Sequence, residues 1–197
     1  MSKPSLAPRI EQLESVLRSS EPLGPATDIP FAIFVYEPSR ELELRKEVEL
    51  LSTRLKNAGH PVHVVDLGKI MWDCVRAHPG GPDGLVEVEK GGADLDDVLA
   101  EARTLLIGPR QDRVGPLERR VIEELSELDE SDGIGLLVQA GALFPIYRTS
   151  ALLERMIGVL QVRTVLFYPG LVRGASELSF MGVCEPSPNY RPRIFAS

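Results

Sequence analysis

Short, uninterrupted apolar runs are the feature of this sequence that most restricts its fold. Residues 31–36 read Phe-Ala-Ile-Phe-Val-Tyr and contain no charged position. A run of this kind, without polar alternation, is typical of a strand that is buried on both faces, as in a parallel sheet. Runs at about 134–139 and 164–168, and the more mixed residues 60–67, are predicted strands as well. Residues 104–107, Thr-Leu-Leu-Ile, are predicted to form a further strand.

Amphipathic helical patterns lie between these runs. Apolar residues at helical spacing predict helices at residues 5–19, 40–58, from 68 onward, 94–103, 116–128 and 148–161. Ser39 is predicted to cap the second helix, and Pro116 occupies a favoured first helical position. The Pro- and Gly-rich residues 78–84 are predicted to form a surface loop.

Strands that alternate with helices imply right-handed βαβ units. The 197 residues therefore predict one α/β domain, a mostly parallel sheet of about five strands with helices on both faces. Residues 20–30 are a connector, 31–175 the α/β core, and 176–197 a tail or an edge strand. This architecture is Rossmann-like or degenerate P-loop-like, without a Walker A motif.

The expected phosphate-binding motifs are missing from the sequence. The first strand runs into Tyr36-Glu-Pro-Ser-Arg-Glu41, which lacks the glycines and the lysine that hold a phosphate group. Gly133-Ile-Gly135 precedes its strand instead of following one, so it does not match a dinucleotide fingerprint. We therefore predict no bound cofactor.

Composition restricts the classes of partner and compartment. The formal net charge of −7 opposes non-specific wrapping of nucleic acid, so direct nucleic-acid binding is not expected. No apolar run approaches the roughly 20 residues that span a bilayer, and the first residues do not resemble a signal peptide. Cys74 and Cys184 are predicted to be two buried free thiols. These features predict a cytoplasmic protein without a membrane segment.

No catalytic or metal-binding constellation is visible in the sequence, so we predict neither an enzyme nor a metal site. His60 and His63 would point to opposite faces of a strand. Glu37 and Asp66 each fall near the end of a predicted strand, where catalytic acids often lie. Two alternatives stay open for them. They act as a catalytic pair, or Glu37 pairs with an arginine such as Arg40 while Asp66 caps the next helix.

The carboxyl-terminal third of the chain carries the candidate contact residues. It contains a local excess of arginines, at positions 148, 155, 163, 173, 191 and 193. A basic face on an acidic protein suits a protein partner or a small anion. The predicted partner- or anion-contact residues are Tyr147, Arg148, Tyr168, Arg173, Tyr190 and Arg191. Arg148 either binds a ligand phosphate or carboxylate, or pairs internally with Glu37 or Glu177. Glu154 and Arg155 are predicted to form a solvated face.

Several motifs of this sequence resemble those of the BrxB family. They are Pro30-Phe-Ala-Ile-Phe-Val-Tyr-Glu-Pro38, Gly141-Ala-Leu-Phe-Pro-Ile-Tyr-Arg-Thr-Ser-Ala-Leu-Leu153, Val165-Leu-Phe-Tyr-Pro-Gly170, Leu178-Ser-Phe-Met-Gly182 and Asn189-Tyr-Arg191. The resemblance covers residues 5–195. Pro192 replaces an aromatic residue that the family usually has, and residues 80–84 are particular to this chain.

The BrxB resemblance implies a cytoplasmic component of bacteriophage-exclusion (BREX) loci with no catalytic residues to carry over. It implies partners among a PglZ-like phosphatase-fold protein, a large ATPase and an adenine methyltransferase, and a homodimer is a further alternative. Two hypotheses follow. The chain is a non-enzymatic interaction subunit that acts in assembly or regulation, or it is a nucleotide- or nucleic-acid-responsive module whose arginines bind phosphate.

Overall fold

A mostly parallel six-stranded sheet lies at the centre of the molecule. We analysed a computed structural model that describes residues 5–19, 22–23, 29–108, 112, 114–173, 177–185 and 192–196. The strands are β1 (Phe31–Tyr36), β2 (Val62–Asp66), β3 (Ile134–Val138), β4 (Arg163–Arg173), β5 (Glu177–Phe180) and β6 (Arg193–Phe195). Five of them are parallel, in the order β2-β3-β4-β1-β6. β5 pairs antiparallel with the outer part of β4.

Helices cover both faces of this sheet. They are α1 (Ala7–Arg18), α2 (Glu41–Asn57), α3 (Leu67–Ala77), α4 (Gly81–Lys90), α5 (Leu95–Ile107), α6 (Pro116–Leu125) and α7 (Thr149–Met156). Two short 3₁₀ helices, Pro38–Arg40 and Ala140–Leu143, follow β1 and β3. α1 and α2 pack on one face, and α3, α6 and α7 pack on the other. The predicted α/β class, with about five strands and helices on both faces, is confirmed.

β1 shows why an uninterrupted apolar run was needed. All six of its residues are buried, because the strand lies between β4 and β6 with a helical layer on each face. Phe31, Ile33 and Val35 point into the core beneath α3, α6 and α7. Ala32, Phe34 and Tyr36 point into the core beneath α1 and α2. Successive side chains of a strand point to opposite faces, so both had to be apolar.

Two half-buried arginines join α1 to the sheet. Arg9 donates from Nη2 to the carbonyl oxygens of Val35 (2.7 Å) and Phe195 (2.9 Å), at the ends of β1 and β6. Arg163, the first residue of β4, donates to the carbonyl oxygens of Leu17 (3.0 Å) and Val16 (3.1 Å) in the last turn of α1. Burial lowers the pKa of both guanidinium groups. These bonds give carbonyl groups at the ends of α1, β1 and β6 a charged donor and so tie the helix to the sheet.

The predicted strand at residues 104–107 is wrong, because these residues form the last turn of α5. Leu105 and Leu106 are buried, and the Thr104 hydroxyl donates to the Ala100 carbonyl one helical turn earlier, at 3.0 Å. A four-residue apolar run cannot be assigned to a strand or a buried helical turn by its pattern alone. The helix predicted at 94–103 therefore continues to Ile107, with Asp94 as its cap.

Other local predictions also need correction. Residues 78–84 are not all loop, because α4 begins at Gly81 with a proline in its first turn. Ser39 does not cap α2, since it lies within a 3₁₀ turn and Arg40 takes the cap position without a side-chain bond. Asp66 does cap α3, accepting from the Lys69 amide at 2.9 Å. α6 and α7 are shorter than predicted and end at residues 125 and 156. Within the described ranges, no helix has both the length and the apolar character of a membrane span.

Candidate functional site

Tyr147 reaches from the loop before α7 to the start of α6. Its side chain is 3% exposed, and its hydroxyl donates a hydrogen bond to Oε1 of Glu118. Glu118 lies in the first turn of α6 and is fully buried. Burial, and then the neighbouring carboxylate, raise the pKa of Tyr147. Tyr147 therefore fastens its loop to α6, and its role in partner contact stays a prediction.

Arg155 approaches the same carboxylate from α7. Its Nε lies 3.6 Å from Oε1 of Glu118, and only 29% of its side chain is exposed. The prediction that Glu154 and Arg155 form a solvated face is wrong for Arg155, because α7 turns it toward a buried acid, which leaves Glu154 exposed. Among the described residues, Oε2 of Glu118 and Nη1 of Arg155 have no hydrogen-bond partner. A buried charge of this kind makes the cluster sensitive to the loss of any member.

Arg148 lines a cavity of about 420 Å³, which we call the arginine pocket. The pocket is bounded by the loop 144–148, by Arg103 and Ile107 of α5, by Ala151 of α7, and by Phe180 and Cys184. Most of this lining is apolar, and the two arginines are the only charged residues among the described residues that form it. The sequence pointed to Tyr147 and Arg148 in this loop, but α5 was not connected with it.

The arginines of the pocket differ in how they are held. Arg103 donates from Nε to the Ile146 carbonyl at 3.0 Å. Arg148 takes the cap position of α7 and is exposed. Its guanidinium group forms no hydrogen bond or ion pair with any residue that the structure describes. An internal pair with Glu37 or Glu177, one of the two alternatives, is therefore not seen within the described part of the chain.

Tyr168 and Arg173 do not line the arginine pocket. Tyr168 is 1% exposed in the middle of β4, where its ring centroid lies 5.3 Å from that of Phe180. Arg173 is exposed at the far end of β4, in register with Glu177 of β5. Tyr190 and Arg191 lie outside the described residues. The participation of all four in partner contact stays a prediction.

The described arginines of residues 148–193 do not form one basic face. Arg163 and Arg173 are at opposite ends of β4, roughly 30 Å apart at the rise of an extended strand. Arg155 pairs with a buried glutamate, and the Arg193 guanidinium lies 5.0 Å from the ring centroid of Phe195. The prediction of a single basic face is wrong, since strand β4 separates residues that are close in sequence.

A second cavity, of about 300 Å³, lies at the carboxyl edge of the sheet, and we call it the carboxyl-edge crevice. It lies between the start of α2 on one side and the turn 139–142 after β3 on the other, with Pro169 and Met181 between them. The connection after β1 leaves toward one face of the sheet and the connection after β3 toward the other. In α/β proteins such a point is a common ligand site.

Ionic and amide side chains line the carboxyl-edge crevice. Glu41 accepts a hydrogen bond from the Tyr36 hydroxyl, and its Oε1 lies 3.0 Å from Nε of Arg45. Gln139, with a left-handed backbone (φ 58°), donates to Oδ2 of Asp66. Neither Arg45 nor Gln139 was predicted from the sequence as a site residue, although Glu41 and Arg45 have the i, i+4 spacing of a helical ion pair.

Glu37 and Asp66, the two acids considered for catalysis, each interact with nearby side chains or backbone groups. Both oxygens of Asp66 are engaged, one by the Lys69 amide and one by Gln139. Glu37 is half-buried before α2, and its charge contributes to the raised pKa of Arg40, whose hydrogen bond goes to Glu43. The pairing of Glu37 with Arg40 is thus electrostatic only, and the cap predicted for Asp66 is confirmed.

The histidines and cysteines occupy separate places. Nε2 of His63 lies 3.0 Å from Oε2 of Glu124, a pair that is ionic when the histidine is protonated. Cys74 is buried, with its pKa raised by burial, whereas Cys184 is only half-buried, so the predicted burial is correct for Cys74 alone. Across the part of the chain that the structure describes, no three His, Cys, Asp or Glu side chains are grouped to hold a metal ion.

Comparison with known proteins places the chain in a family. The family model described as "BREX protein BrxB" matches residues 63–194, which include every described residue that lines the arginine pocket and part of the lining of the carboxyl-edge crevice. A protein described as BREX protein BrxB, from Bacillus cereus (strain H3081.97), is 26% identical over 180 residues, which cover 90% of this chain and 88% of that protein. No solved structure is significantly similar. Since the family model matches more than half of its length, the chain belongs to the BrxB family of BREX proteins.

Proposed function

We propose that this protein is a non-catalytic subunit of a BREX bacteriophage-defence system and that it acts by binding partner proteins. Its family membership makes it a BREX component. The proposed partner is the PglZ-like phosphatase-fold protein of the same system, with the large ATPase and the methyltransferase as further candidates. The proposed role is assembly or regulation of the defence complex, in the cytoplasm.

The observation that carries this proposal is the arginine pocket. Arg148 is exposed beside an apolar cavity and lacks an ionic partner among the described residues. Arginine and aromatic side chains are enriched where proteins bind one another, and they supply much of the binding energy there. The loop 144–148 of the pocket also belongs to one of the motifs that resemble the BrxB family, and the family model covers it. A surface with these properties is better suited to a partner than to bulk solvent.

Co-purification tests the proposed function. The tagged chain is expressed together with the products of its neighbouring genes and recovered at low and moderate salt. We expect the PglZ-like protein in a fixed ratio to this chain. Arg148→Glu and Arg173→Glu should each reduce this recovery, because the reversed charge repels the carboxylates that the arginines would pair with.

A matched control distinguishes an effect at the arginine pocket from a general effect of charge reversal. Lys46 is exposed on α2, on the opposite side of the sheet, so Lys46→Glu makes the same charge reversal away from the pocket. It should leave recovery unchanged, and all three variants should keep the melting temperature of the unaltered protein. If the unaltered chain recovers none of the three BREX partners, the proposed function is wrong. If recovery survives both arginine variants, the contact surface lies elsewhere.

The carboxyl-edge crevice favours a second candidate, a nucleotide-responsive module. Its position is one at which α/β proteins commonly bind ligands, and Arg45 lines it. Glu41 also lines the crevice, and its negative charge opposes a phosphate group there. Millimolar ATP, GTP or cyclic nucleotides should raise the melting temperature if this candidate is correct, and Arg45→Ala should abolish the rise. No rise with any of them would exclude it.

A further inference from the structure

The arginine pocket has the size and the wall of a binding site. Its volume of about 420 Å³ falls within the roughly 300–1,000 Å³ of ligand pockets. Phe144 lines it and is 36% exposed, although it is a large apolar residue. Ile107, Ala151 and Phe180 extend the apolar wall. A concave apolar surface that stays open to solvent is typical of a place that a partner covers.

The charges of the pocket select an anionic group. Arg103 and Arg148 line it, and no Asp or Glu of the described part of the chain does. Arg103 uses only its Nε within the described residues, so its two terminal nitrogens can donate elsewhere. A guanidinium group matches a carboxylate with two parallel hydrogen bonds. Because the whole chain carries a net charge of −7, this wall is a local exception that would orient an acidic partner.

The wall of the pocket is held in place without a partner. The loop 144–148 is tied on one side by the bond from Arg103 to the Ile146 carbonyl. On the other side it is tied by the hydroxyl of Tyr147, which donates to the buried Glu118. A surface that is already ordered loses little conformational entropy on binding, so more of the contact energy is kept as affinity.

We propose that the arginine pocket is the docking site for a segment of a BREX partner protein in which large apolar side chains adjoin Asp or Glu residues. The apolar side chains fill the cavity, and the carboxylates pair with Arg103 and Arg148. This inference rests on the proposed function, because it names the surface and the chemistry through which a partner is bound.

Cys184 provides a direct test in the intact complex, since it lines the pocket while Cys74 is buried. Iodoacetamide alkylation of each cysteine is followed by mass spectrometry, with and without the PglZ-like protein. With the partner at about ten times its dissociation constant, Cys184 should react about tenfold more slowly. Cys74 should react slowly in both samples, which shows that the fold is unchanged. Equal Cys184 rates in a complex that has demonstrably formed would overturn the docking site.

Filling the pocket is an independent test. Ala151 is half-buried in the wall, so Ala151→Trp occupies space that the partner segment needs. Lys46→Trp adds the same group to the exposed face of α2 and serves as the control. We expect at least about a tenfold loss of affinity, or 1.4 kcal/mol, for the first variant only. Should Ala151→Trp have altered melting, Arg148→Glu replaces it, and unchanged binding of the well-folded variant would count against the site.

Crosslinking identifies the chemistry of the bound segment. Phe144→p-benzoylphenylalanine puts a photoreactive group on the pocket wall, and the captured partner peptide is sequenced. An apolar segment with Asp or Glu supports the inference, whereas a basic or wholly polar segment, or a second copy of this chain, overturns it. These failures leave the proposed function intact as long as the complex forms. If no complex forms, the proposed function and the docking site fail together.

Discussion

Tyr147→Phe removes a single hydroxyl group, and we expect this change to lower the free energy of unfolding strongly. The hydroxyl is the one hydrogen-bond donor to Glu118 within the described residues, and that carboxylate is fully buried. Arg155 stays 3.6 Å away, too far for a good hydrogen bond. Water cannot replace the lost donor without opening the packing between α6 and α7. The Glu118 side chain would therefore be left without a hydrogen-bond donor inside the protein.

The expected magnitude follows from this burial. A hydrogen bond to a charged group contributes about 1.5–3 kcal/mol, and a buried partner left unsatisfied adds to the loss. We expect Tyr147→Phe to lower the free energy of unfolding by about 3 kcal/mol. Tyr36→Phe is the matched control, because its hydroxyl donates to Glu41, whose side chain is 26% exposed and also pairs with Arg45. Water can reach that carboxylate, so about 1 kcal/mol is expected.

Urea unfolding at pH 7 measures both variants. With a slope of about 2 kcal/mol per molar urea, Tyr147→Phe should lower the midpoint by about 1.5 M and Tyr36→Phe by about 0.5 M. The slopes should stay equal to that of the unaltered protein, which shows that the extent of unfolding is the same. If the two variants lose equal stability, burial of the accepting carboxylate does not determine how much stability is lost. Our account of Glu118, Tyr147 and Arg155 would then be wrong.

Three further predictions concern stability. Burial raises the pKa of Tyr36 and Tyr147, so these tyrosines ionise at lower pH in the unfolded chain than in the folded protein. Their contribution to the free energy of unfolding is therefore complete below about pH 10. Above that pH it falls by about 1.4 kcal/mol per pH unit for each tyrosine. Urea midpoints between pH 9 and 11 should fall less steeply in either Phe variant. Gly170→Ala would place its Cβ 2.4 Å from a β5 carbonyl oxygen and should cost about 1–3 kcal/mol. Gly84→Ala, in open space on α4, should stabilise the protein by up to about 1 kcal/mol. A higher melting temperature for Gly170→Ala than for Gly84→Ala would contradict the steric reasoning. Arg9→Met leaves two carbonyls of β1 and β6 without their donor and should cost about 1–3 kcal/mol, with faster amide exchange in β6; unchanged exchange would exclude this role.

Most elements of the fold could be predicted because their signals are local. The six apolar residues of β1 have a pattern that suits only a strand with two buried faces. Residues 104–107 have an equally apolar sequence and yet end a helix. Their neighbours decide the difference, since the last turn of α5 buries its leucines against α3 and α6 without needing a place in the sheet. The order of the strands was not predictable either, because chirality limits topology without selecting one arrangement.

The candidate site, like the fold, has features that the local sequence predicts and features that depend on tertiary packing. Arg148 and its loop were found from the sequence, because a polar turn after an apolar strand is a local pattern. The hydrogen bond between Tyr147 and Glu118 joins residues 29 positions apart, and the local sequence around either residue does not predict it. Glu118 had only the appearance of an acidic residue in the first turn of a helix, which is usually exposed. Its burial follows from the packing of α6 against α7.

The sequence alone determined the α/β class, the central strands, the absence of known phosphate motifs and the resemblance to the BrxB family. Each of these depends on residue types at short, fixed spacings, which the chain shows without folding. Only the tertiary structure decided that α5 joins the loop 144–148 around a cavity, that Arg155 turns inward, and that the arginines of β4 are far apart. Packing between distant helices and strands sets these distances, and the geometry of packing is a property of the whole chain.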